Sequence, residues 1–117
     1  MNENYLNVLE ESLQKKLKVM EKIQDYNLRQ QEIFRSEHVE LEKFDEYVAE
    51  KGALIDELTA LDNGFETLYG KVAEELKENR EKYANQIKRL QELVSRVTEE
   101  SVSIQAQEAR NKKLVED

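Results

Sequence analysis

Proline, cysteine and tryptophan are all missing from the chain, and glycine occurs only three times. Proline lacks an amide donor and clashes with the preceding helical turn, so without it nothing in the sequence forces a helix to kink or stop. Without cysteine there is no disulfide framework and no thiolate to bind a metal or act as a nucleophile. Gly52, Gly64 and Gly70 stand singly among helix formers, which excludes a glycine-rich phosphate loop. No segment approaches the roughly 20 consecutive apolar residues that a membrane span requires. The opening "MNENYLNVLEESLQKK" has no basic stretch followed by an apolar one, so no secretion signal is expected. Neither membrane insertion nor export is expected of the chain, and the expected location is the cytoplasm.

What is present is a helical composition. Ala, Glu, Lys, Leu and Arg make up 60 of the 117 residues, the bias of long helices and coiled coils. Hydrophobic and charged residues each account for 38%, which suits an elongated bundle with a narrow core. The expected fold is therefore all-α. It is an elongated antiparallel bundle of three long helices with coiled-coil-like packing, forming a single domain over residues 1–117.

The formal charge of −8 argues against nucleic acid, whose phosphates reward clustered Lys and Arg. That charge is unevenly placed. Residues 1–36 are neutral, residues 37–78 carry a net −9 and residues 79–117 a net +1. An acidic middle third reads first as a solvated helix face, and second as a surface that rejects wrong partners by like-charge contact.

The apolar residues of the first third, Leu6, Leu9, Leu13, Leu17, Met20, Ile23 and Phe34, fall at steps that mark one helix face. Asn27 and Gln30 interrupt that stripe, a pattern that fixes register at some cost in stability. Ser36 followed by Glu37 reads as the N-cap of a second helix. This gives helix 1 over about 3–34, helix 2 over about 37–77 and helix 3 over about 80–115. Asn63-Gly64 offers a competing turn. However, Leu58, Leu61, Phe65, Leu68 and Val72 keep a three-four rhythm across it, which favours a continuous helix with Gly64 tolerated at about 1 kcal/mol. The longest run without an apolar residue, "KENREK" at 77–82, is the better turn, at 78–80. Tyr83, Ile87, Leu90, Val94, Val97 and Ile104 then resume the stripe. Leu13, Ile23, Leu58, Phe65, Leu90 and Val94 are expected in the core. The alternative is a longer helix from 37 onward in a homodimeric coiled coil.

Catalytic chemistry has no foothold here. His38, the single histidine, has no second imidazole or thiolate with which to hold a metal. It also lacks a partner that would make it a general base. Carboxylates at Asp45, Glu46 and Glu50, or at Asp56 and Glu57, fall near one another only because acidic residues are abundant. Phe34, Phe44, Phe65 and Tyr83 sit on the apolar stripes and read as core. No enzyme activity and no cofactor is expected.

Two stretches carry a family resemblance. "EKGALIDELTALDNGFETLY" (50–69) and "KYANQIKRLQELVSRVTEESVSIQAQEARNKKL" (82–114) resemble the FlgN-type flagellar export chaperones. So does the spacing of Lys51, Leu54, Ile55, Leu58, Leu61, Asp62 and Phe65. The resemblance implies a small acidic cytoplasmic protein that binds hook-associated (hook–filament junction) subunits. It would prevent their premature assembly and deliver them to the type III export apparatus, as FliT-type chaperones do for the filament cap. It also implies that the client, a protein, binds the C-terminal helix. The residues themselves agree, because the last stretch keeps its helix propensity while its apolar stripe thins out. A few anchors in a polar helix suit transient helix binding. The expected client-binding residues are Val97, Ile104, Gln107, Arg110, Asn111 and Leu114. The competing reading is a structural coiled-coil oligomerisation protein with no client.

Overall fold

The computed structural model describes residues 3–116, and all of its regular structure is helical. Three helices follow one another: α1 (Glu3–Arg35), α2 (Leu41–Glu78) and α3 (Ala84–Glu116). They lie along a common long axis in a molecule of 59 × 20 × 17 Å. At 1.5 Å per residue each helix spans roughly 50–57 Å, so each runs nearly the full length.

The first turn differs from its expected form. Ser36 does not cap α2. Its amide donates to the Glu32 carbonyl, and its hydroxyl lies 2.7 Å from the carbonyl oxygens of both Ile33 and His38. Ser36 thus finishes α1, and α2 begins four residues later than the sequence suggested. Glu40 stands at the α2 N-cap without a side-chain hydrogen bond. Glu42 places negative charge in the first turn, where the helix dipole favours it.

The second turn lies at 79–83. The Asn79 amide and side chain both donate to the Glu75 carbonyl, at 3.0 and 2.8 Å, which satisfies a carbonyl that the helix end would leave open. Tyr83 closes this end of the bundle and is buried. Between the two turns α2 runs unbroken through Asn63-Gly64, as the preserved phase of its stripe required.

The core is built around α1. Leu6, Leu9, Leu13 and Leu17 pack with Val72 and Leu76 of α2, Tyr83 of the turn, and Leu90 and Leu93 of α3. Farther along α1, Val19, Met20 and Ile23 are also buried. α1 packs against both other helices, yet among the described residues no Cα of α2 comes within 8 Å of one in α3. α1 is thus the shared neighbour of both, and α2 and α3 meet through side chains, not by close backbone packing.

Candidate partner-binding groove

Because α2 and α3 do not pack closely, the faces they turn toward each other are only partly covered. Near the second turn these faces form an open groove of about 920 Å³. Phe65, Tyr69, Ala73 and Leu76 line it from α2, and Ile87, Leu90 and Val94 from α3. The Phe65 and Tyr69 rings, one helical turn apart, stack at 6.1 Å with their planes 5° from parallel. Tyr69 is 48% exposed and Val94 is 46% exposed. Val94 therefore does not belong to the core as the sequence suggested. Its neighbour Leu93 takes the core position instead, so the core-facing line of α3 runs through Leu90, Leu93 and Val97. Leu58 and Phe65, also expected in the core, are half-buried, while Leu13, Ile23 and Leu90 are buried as expected.

The apolar line extends well beyond this groove. Leu41, Val48, Ile55 and Tyr69 recur at multiples of seven residues on one line of α2, and all four are exposed; Asp62, paired with Lys16 of α1, interrupts the line. On α3, Val94 and Val115 are exposed too, but the positions between them on the same line are Ser101 and Glu108.

The far half of the bundle is built differently. Asn27, Lys51 and Asn111 each occupy the core line of their own helix, and all three are buried. They meet in one layer. The Lys51 ammonium donates to Asn27 Oδ1 at 2.8 Å and to Glu108 Oε1 at 2.8 Å. Asn27 Nδ2 donates to Gln107 Oε1 at 3.2 Å, and Asn111 Nδ2 donates to the Asn27 carbonyl at 2.9 Å. One turn away Gln24 donates to Glu100. Gln30 donates weakly to the Phe44 carbonyl at 3.5 Å, and its Oε1 is buried without a partner among the described residues. The Lys51–Glu108 ion pair bridges α2 and α3, whose described Cα atoms stay more than 8 Å apart.

This layer explains the polar C-terminal stretch. Its stripe is polar because the facing part of α1 is polar too. Of the six residues expected to bind a client, Gln107 and Asn111 are engaged with Asn27 inside the chain. Val97, Ile104 and Leu114 are half-buried, Val97 against the core, and Arg110 is exposed. The six lie on one helix but do not gather into one open surface. Sequence reasoning passed over Lys51 and Glu108. The available signal was the line Phe44, Lys51, Leu58, Phe65, Val72, in which Lys51 is the one polar member.

At the outer α1–α2 seam Arg29 lies over the Tyr26 ring at 5.5 Å and the Tyr47 ring at 6.0 Å. The Glu50 carboxylate, hydrogen-bonded to the Tyr26 hydroxyl, raises that hydroxyl above its ordinary pKa. The Asp25 carboxylate likewise raises the Arg29 guanidinium. His38 is exposed. Among the described residues no group of three or more His, Cys, Asp or Glu side chains could hold a metal ion, and no helix is long and apolar enough to cross a membrane. No protein-family model matches the chain, and no curated protein or solved structure matches it either.

Proposed function

We propose that this chain is a helical chaperone of the flagellar export type, which shields an aggregation-prone protein subunit and releases it to an export apparatus. The observation that carries the reading is the open apolar groove between α2 and α3, bordered by Tyr69 and Val94. Such a surface suits a transient partner, because laying an amphipathic helix into an apolar groove buries its anchors without any covalent or metal chemistry. The family resemblance names hook–filament junction subunits as the clients, with the cytoplasm as the place of action. The grip is moved from the C-terminal stretch to the groove, since Gln107 and Asn111 are already paired within the chain.

Co-expression with candidate junction and cap subunits, followed by co-purification, tests the reading. Retention of one of them at a fixed stoichiometry is the expected result. A folded chain that retains none of them would overturn it. The competing reading is a structural coiled coil in which a second copy covers the line from Leu41 to Tyr69. It predicts a stable homodimer at micromolar concentration in sedimentation experiments, with both apolar lines protected.

A further inference from the structure

The groove has a charge as well as a shape, and the charge is opposite to that of the molecule. The chain carries a net −8, yet the charged side chains lining the groove are Lys77, Arg80 and Lys88 against the single carboxylate of Glu74. Three cations thus stand along the lip of an apolar trough on an acidic protein. All three are exposed, so they remain free to pair with groups brought in from outside.

The geometry points to one occupant: an amphipathic helix of a partner protein, apolar on one face and flanked by Asp or Glu, lying in the groove between α2 and α3. This rests on the partner-binding reading above and deepens it. A helix laid in the groove would touch both α2 and α3. Its apolar anchors would meet Tyr69 and Val94, and its acidic flank would face Lys77, Arg80 and Lys88. The rest of the surface supports this choice by exclusion. The acidic middle third disfavours an acidic helix along the rest of α2, so complementarity favours this lip for an acidic partner and disfavours a basic helix at it. A second copy of this chain, whose α2 is itself an apolar helix within an acidic segment, is the competing occupant, and the oligomeric state separates it from a partner protein.

The test uses two synthetic peptides of about 18 residues, five helical turns, with identical Leu anchors and either Glu or Lys on the flanks. Their binding to the full chain is read by fluorescence anisotropy. The Glu peptide is expected to bind at least about tenfold more tightly than the Lys peptide, with the difference shrinking in high salt. Lys77→Glu with Lys88→Glu should reverse the preference. Val94→Asp should abolish binding of both peptides while the helical circular dichroism stays unchanged, since Val94 is half exposed.

Equal binding of the two peptides, or binding that survives Val94→Asp, would overturn the inference. So would a homodimer that protects Val94. The two readings fail separately. A client retained on co-expression while neither peptide binds would sink this inference and leave the chaperone reading standing. Selective binding of the Glu peptide with no client retained would do the reverse.

Discussion

The seams of α1 and the seam between α2 and α3 are made of the same residue types and end up in opposite states. Along α1, Leu6, Leu9, Leu13 and Leu17 are covered by both neighbours and withdrawn from water. Across the other seam the apolar side chains of Tyr69 and Val94 remain about half exposed. The difference does not come from hydrophobicity. A helix buries an apolar stripe only if another helix lies within packing reach, and α1 occupies that position for both of its partners. The chain thus separates two tasks: one seam holds the fold together, and the other is left available.

The largest expected effect breaks the covered seam. Leu9 is fully buried, and Leu9→Ala should cost roughly 2–5 kcal/mol, seen as a marked drop in the midpoint of urea unfolding. A midpoint equal to that of the parent would deny that this seam carries the stability.

The polar layer comes next. Asn27→Ala removes the side-chain acceptor of Lys51 and the donor to Gln107 at once, while keeping the backbone carbonyl that Asn111 uses, and should cost about 1–3 kcal/mol because the buried Lys51 ammonium loses an acceptor. Replacing Asn27, Lys51 and Asn111 together by Leu should restore much of that stability. If the layer fixes register, the triple variant should also populate additional oligomers, visible by light scattering.

A smaller change sharpens the contrast from α2. A Cβ placed on Gly64 would meet nothing within 4 Å, so Gly64→Ala should stabilise the helix by about 1 kcal/mol. A loss of stability would mean that something already packs there. Smallest of all is the open seam itself, where Val94→Ser should change stability by less than about 1 kcal/mol.

Much of the fold was legible in the sequence because heptad spacing is a local property. The three helices, the continuity of α2 through Gly64 and the burial of Leu13 and Ile23 all follow from it. Ser36 misled because an N-cap and a helix-ending hydroxyl look alike until the backbone direction is known. Val94 misled for a different reason. Leu93 and Val94 are adjacent apolar residues, and steps of three or four from Leu90 fit either, so spacing alone does not say which one faces the core. The polar C-terminal stretch could be read as free only while Asn27, Lys51 and Asn111 were considered one helix at a time. Placed in a single layer, they partner one another.

Single-cysteine labelling tests the open seam most directly, because the chain has no native cysteine to confuse the signal. Leu93 and Val94 are neighbours on α3, one at 9% exposure and the other at 46%. In the free chain Val94→Cys should react with a maleimide at close to the rate of an unstructured cysteine, and Leu93→Cys should be strongly protected. Bound client should then protect Val94→Cys and leave Leu93→Cys unchanged. Equal protection of both sites in the empty monomer would mean that α2 and α3 close on each other, and the account of an open groove between them would be wrong.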